Sequence, residues 1–186
     1  GAVISGAGTT ETLGKLGSIN ALPGAFAACV SAGLAVYIMT KSGLPVSTTQ
    51  AIVGAIIGWN IYTGSSTNFK ILFTILSTWV LCPIITALIA MLFFICMKKI
   101  LQNTNWHILR LDAYTRSALL IAGAFGAYSL GANNIANVMG VFVPISPFTD
   151  ISLSYFGTFS STEQLFLLGG IAIAVGVFTY SKKVMF

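Results

Sequence analysis

Charge is scarce in this chain. Only 7% of its 186 residues are Asp, Glu, Lys or Arg, against about 25% in an ordinary soluble domain. A water-facing globular surface is therefore excluded, and a membrane protein is implied. Acids are rarest of all: Glu11, Asp112, Asp150 and Glu163 are the whole set. No carboxylate pair, Ser/His/Asp set or glycine-rich nucleotide loop occurs, so an enzyme is not expected. Cysteine is nearly absent too. Cys29, Cys82 and Cys96 stand alone in apolar stretches, with no CxxC or Cys/His spacing. Neither a zinc site nor a redox pair is expected, and the thiols read as small packing hydrophobes. A basic segment leading into a short apolar one is also missing at the start, so no signal peptide is visible. The chain opens at Gly1 inside a Gly/Ala-rich stretch, and the expectation is a piece of a longer polypeptide.

Apolar residue types make up 56% of the chain, and mean hydropathy is +0.91. The net charge of +5 does not point to nucleic acid. Lys41, Lys70, Lys98, Lys99, Lys182 and Lys183 flank apolar runs, a pattern that marks membrane topology. A spanning helix needs about 20 mostly apolar residues. Leu22–Thr40, Ile71–Met97, Ala118–Val143 and Leu165–Tyr180 are the candidates, with Pro83 inside the second. Pro45–Trp59 is apolar but short, which suits a half-helix or one arm of a re-entrant hairpin. The expected fold is all-α and polytopic, with about four spanning helices and one re-entrant or broken segment.

The connection at 98–117 is the strongly polar one. Lys98, Lys99, Arg110 and Arg116 outnumber Asp112 there, which predicts a cytoplasmic side. Trp106 and Tyr114 read as interfacial anchors, residues 101–116 as a weakly periodic surface helix, and His107 as a solvated side chain. Asp112 is expected to neutralise Arg110 or Arg116. The 144–163 loop holds Asp150 and Glu163 without Lys or Arg, so it is placed outside, its acids solvated.

Two motifs carry chemistry. The first is SGLPVSTTQ, residues 42–50. Ser47 and Gln50 have the spacing of a capping box, with Ser47 as N-cap. Hydroxyls and free backbone N–H groups then meet at the positive end of a helix, an arrangement suited to anions. The same pattern also serves as a plain cap. The second is GANNIAN, residues 131–137. Asn133, Asn134 and Asn137 can crowd one side of a helix. Each offers a carbonyl for a cation and an NH2 for an oxyanion. Gly131 and Gly140 favour a break there that would expose backbone carbonyls. The competing reading is amides that tie helices together.

Together, SGLPVSTTQAIVGAIIG at 42–58 and SLGANNIANVMG at 129–140 resemble the signature segments of the inorganic phosphate transporter family, a group of cation-coupled phosphate permeases. GAGTTETLGKLG at 6–17 and FTYSKKV at 178–184 are similar as well, so the resemblance covers most of the chain. It implies phosphate permeation by alternating access. Ser47, Thr48, Thr49, Gln50, Asn134 and Asn137 would bind substrate. Asn133, Asn134, Asn137 and Gly131 would hold the coupling cation. Sodium or the proton is the implied coupling ion, with no other metal or cofactor. Expected partners are inorganic phosphate, the coupling ion and the lipid bilayer, a second copy of the chain being left open; the expected location is the plasma membrane. Sulfate or another oxyanion, and a non-transporting membrane interaction protein, stay as alternatives.

The family is an inverted repeat. Residues 1–97 would then be the C-terminal part of the first repeat, 98–117 the linker, and 118–186 the N-terminal part of the second. A further GANDVAN-like segment would precede Gly1, and a further PxSTT-like segment would follow Phe186. Two positions depart from the pattern: Asn134 replaces its Asp and Gln50 its His. Without that carboxylate a cation is held by less Coulomb attraction.

Overall fold

The computed structural model describes residues 1–17, 19, 21–103, 107–153 and 157–185. The chain divides into two compact units, residues 1–68 with 127–186, and residues 69–126.

The first unit opens with two short helices, α1 (Ala2–Ser5) and α2 (Ala7–Gly14). Helix α3 (Leu22–Lys41) follows, with Pro23 in its first turn, where an N–H has no intrahelical partner to lose. Helix α3 ends in a turn through Gly43, which has φ +68°. Helix α4 (Thr48–Thr63) then runs to Gly64, a left-handed C-cap at φ +69°. Left-handed backbone favours glycine because no Cβ is present to clash.

Helices α3 and α4 pack together. Gly24, Ala25, Ala28 and Ala32 form the buried stripe of α3, and Ile52, Val53, Ile56 and Asn60 that of α4. Small residues on α3 bring the helices close. A Cβ placed on Gly24 would lie 2.6 Å from Cζ2 of Trp59. At 16 residues, α4 is about 24 Å long, short of the roughly 30 Å hydrocarbon core. The half-helix expected at 45–59 is thus a short helix beginning and ending three to four residues later.

The rest of the first unit begins within α6 (Ile108–Met139), which enters it at Ala127. A 3-10 turn (Val143–Ile145) and a short antiparallel pair, β1 (Ile151–Leu153) with β2 (Gly157–Phe159), lead to α7 (Ser161–Met185). The pair registers Ile151 with Phe159 and Leu153 with Gly157; it is a strand element that the sequence reading did not include. Ile135 and Met139 of α6 and Leu165 and Phe166 of α7 make a buried cluster, with Ala2 of α1 packed against it. Gly169 admits Ile135 and Met139, whose side chains would lie 2.6 and 2.7 Å from a Cβ there.

The second unit holds α5 (Phe69–Asn103) and the start of α6. Pro83 lies inside α5. The most apolar stretch of α5 is exposed throughout, as expected of a helix surface made for lipid or for other helices. At 35 residues, α5 measures about 52 Å, more than a bilayer core requires.

The surface helix expected at 101–116 takes another form. Helix α5 continues through Lys98 and Lys99 to Asn103, and α6 already begins at Ile108. Among the described residues, 101–103 close α5 and 108–116 open α6, with no separate surface helix. The polar residues 108–117 belong to the same helix as the apolar span. Arg116 Nε donates to Asp112 Oδ2 at 2.9 Å, one turn apart, which supports helix there. His107 is not a merely solvated side chain. Its Nδ1 accepts from Leu109 N at 3.4 Å, and its carbonyl accepts from Arg110 and Leu111, so it caps α6. Tyr114 is exposed, while Trp106 lies outside the described residues. Among the described residues, α3, α5, α6 and Ser161–Thr179 of α7 are long and apolar enough to cross a membrane.

Candidate functional site

Ser47 is the N-cap of α4. Its Oγ accepts from Gln50 N at 3.3 Å, as the motif predicts. Among the described residues only this half of the capping box is formed. Ser47, Thr48 and Gln50 are exposed and Thr49 is half-buried. The first-turn N–H groups of Thr48 and Thr49 precede any intrahelical acceptor, and they stand at the positive end of the α4 dipole.

The asparagine motif behaves differently from its expectation. Helix α6 runs unbroken from Ile108 to Met139, so Gly131 opens no gap and no unwound carbonyls face the site. Gly131 instead abuts the start of α1, with Ala2 N 3.5 Å from the position of a Cβ. The helix ends after Met139, and Gly140 N still donates to Ala136 O at 2.8 Å.

Helical geometry explains how the site is aimed. Ile135 and Met139 pack against α7. Asn137 is two residues from each, or about 200° around the helix. Its side chain therefore points away from that core. Asn137 Nδ2 donates to Thr48 Oγ1 at 3.1 Å and, more weakly, to Asn134 Oδ1 at 3.5 Å. The two motifs, 89 positions apart, meet through this bond. Asn137 is 7% exposed, and its Oδ1 is buried without a hydrogen-bond partner among the described residues. Asn134 is half-buried and Asn133 exposed. The structure thus joins Asn134 and Asn137 to Thr48, and leaves Asn133 at the rim.

Thr48 and Asn137 line a cavity of about 460 Å³. Its wall is otherwise apolar and includes Phe26, Ile52, Val138 and Phe142. No charged residue lines it. The polar equipment is one hydroxyl, one amide and one thiol. That thiol is Cys29, which donates to Val138 O at 3.7 Å. Sequence reading placed it only as a packing residue, and no local pattern links position 29 to the motifs. Cys82 and Cys96 are exposed on α5.

The loop acids are also corrected. Ser160 and Glu163 form a full capping box on α7. Ser160 N donates to Glu163 Oε2 at 2.8 Å, and Glu163 N donates to Ser160 Oγ at 3.2 Å. Ser161 N donates to Asp150 Oδ1 at 2.7 Å. Both carboxylates accept from N–H groups at the start of α7, Asp150 being exposed as well. The S-x-x-E spacing at 160–163 carried that signal.

Four apolar helices of spanning length, and a polar pair at the wall of a mostly apolar cavity, define an integral membrane protein with an internal polar site. The phosphate transporter family model matches residues 1–186, and the chain belongs to that family. A candidate phosphate permease of Methanocaldococcus jannaschii is 27% identical over 86% of this chain and 46% of its own length. A sulfate permease of Bacillus subtilis is 28% identical over 83% of this chain and 40% of its own. A sodium-dependent phosphate transporter of Toxoplasma gondii is 30% identical over 45% of this chain and 10% of its own. The chain spans about half the length of the curated relatives it matches. No solved structure matches it.

Proposed function

We propose that the protein to which this chain belongs carries inorganic phosphate across a membrane by alternating access, coupled to sodium or protons. The carrying observation is the hydrogen bond from Asn137 to Thr48 at the wall of the 460 Å³ cavity. Thr48, Thr49 and the first N–H groups of α4 supply donors to phosphate oxygens, with Ser47 and Gln50 at the edge. Asn134 and Asn137 supply amide oxygens suited to sodium or to a protonated oxyanion; Asn133, at the rim, takes the more peripheral cation role. The plasma membrane is the proposed location, and self-association is compatible with the exposed apolar helices. We propose no enzymatic role.

Sulfate transport is the second reading, favoured by the relative named a sulfate permease. The test is uptake of labelled phosphate and sulfate into vesicles containing the complete gene product. Thr48→Ala and Asn137→Ala should each abolish uptake while preserving membrane insertion. Full uptake by both variants would overturn the site, and its absence in the unaltered protein would leave a membrane interaction protein.

A further inference from the structure

The junction of α5 and α6, inside the second unit, carries a surface that the candidate site does not use. From Asn103 to Ile108 the chain can reach at most about 18 Å. A hydrocarbon core is about 30 Å thick, so both helix ends emerge at the same face of the bilayer. Neither helix stops where its apolar run stops. Residues 98–103 carry α5 about 9 Å past Met97, and residues 108–117 give α6 about 15 Å before Ala118. The headgroup layer on each side is about 5–8 Å deep, so these turns run through it.

Their composition fits that depth. Lys98, Lys99 and Arg110 are exposed, and among the described residues no carboxylate pairs with them. Arg116 is held by Asp112, the one acid of the junction. Ile100, Leu101, Ile108 and Leu109 stand among the cations and are 45–75% exposed. Water penalises those aliphatic side chains, and hydrocarbon penalises the charges. A headgroup layer accommodates both. Topology alone calls for cations near the span, not for exposed aliphatic residues on further helical turns. We infer that the α5–α6 junction is a docking surface for anionic phospholipid: Lys98, Lys99 and Arg110 hold acidic headgroup phosphates, and the four aliphatic residues lie beside the upper acyl chains. Charge complementarity selects this occupant. A zwitterionic headgroup brings its own ammonium beside its phosphate and leaves three cations uncompensated, whereas an acidic headgroup neutralises them. None of these residues lines the cavity beside Thr48, so the inference is independent of the oxyanion reading.

The test is the ratio of phosphatidylglycerol to phosphatidylcholine retained by the complete gene product, purified in neutral detergent from vesicles holding equal amounts of both. The unaltered protein should be enriched in phosphatidylglycerol. Each basic side chain near an anionic surface is worth about fivefold. Lys98→Gln, Lys99→Gln and Arg110→Gln combined should therefore lower the ratio at least about fivefold. Lys98→Arg, Lys99→Arg and Arg110→Lys combined keep the charge and should keep the ratio. Asp112→Asn removes the local anion and releases Arg116, and should raise the ratio about twofold to fivefold. That arm changes only an exposed pair, so it stands even where a triple variant fails to fold. An unchanged ratio in the glutamine variant would overturn the inference, because the junction is then covered by protein. So would an equal loss in the charge-keeping variant, the mark of a structural role, or a ratio in Asp112→Asn no higher than that of the unaltered protein. Inorganic phosphate should lower the ratio no more than sodium chloride of equal ionic strength does. A specific loss with phosphate would mark a surface for the free ion and would also overturn it.

Discussion

Asn60 offers a prediction whose sign runs against intuition. It is fully buried near the end of α4. Its Nδ2 donates to Thr67 Oγ1 at 2.9 Å, and its Oδ1 has no partner among the described residues. The amide lies against Gly17, where a Cβ would meet Nδ2 and Oδ1 at 3.0 Å. Asn60→Leu keeps the branching and heavy-atom count of the side chain, with two methyl groups in place of the amide O and NH2. It removes one hydrogen bond, a loss of about 1 kcal/mol, and relieves one stranded acceptor, a gain of about 1–3 kcal/mol. Half-buried Thr67 can turn to water. The expected net change runs from neutral to about 2 kcal/mol stabilising. Thr67→Val does the reverse. It leaves Nδ2 buried and unpaired beside Oδ1, at a cost of about 1–3 kcal/mol. Adding Asn60→Leu to Thr67→Val should recover most of that loss. The assay is unfolding of the purified protein in mixed micelles, followed by loss of tryptophan signal. Thr67→Val should unfold first, with Asn60→Leu level with or above the unaltered protein. If Asn60→Leu is the weaker of the two, Oδ1 has a partner in solution, such as water, and the reasoning fails.

Gly24→Val should loosen the α3–α4 pair by about 1–3 kcal/mol through overpacking, since Trp59 lies 2.6 Å from the new Cβ; Trp59→Leu in the same protein should restore much of the loss in the same unfolding assay. Glu163→Ala should cost about 1 kcal/mol by breaking the α7 capping box, and Glu163→Gln should recover part of it. Asp112→Asn should change stability by less than about 1 kcal/mol, because both partners of its ion pair are mostly exposed.

The apolar runs made the four long helices legible, since each is bounded by Lys or by turn residues. The ends were less so. Helix α6 reaches back to Ile108 because His107 caps it and Asp112 pairs with Arg116, interactions that hydropathy does not register. The break expected at GANNIAN does not occur. Gly131 costs about 1 kcal/mol relative to Ala, and Ile135, Ala136 and Met139 are buried along the same stretch, which outweighs that cost. The short helices at 2–14 had no periodic signal to read, and tertiary contacts such as Gly6 against Ile135 and Phe166 set their course. Of the site, the Ser47 cap and the i,i+3 pairing of Asn134 with Asn137 were visible in the motifs. Joining Thr48 to Asn137 required the fold, because that contact depends on Ile135 and Met139 turning the opposite face of α6 towards α7.

The central claim is that Thr48 and Asn137 act as one oxyanion-binding unit. A double-mutant cycle on phosphate affinity tests it most directly, using Thr48→Ala, Asn137→Ala and the double variant in the complete gene product. Two groups in contact should be coupled by about 0.5–3 kcal/mol, so the double variant should lose clearly less than the sum of the single losses. Strictly additive losses would mean that the two side chains do not share a ligand, and would contradict the account.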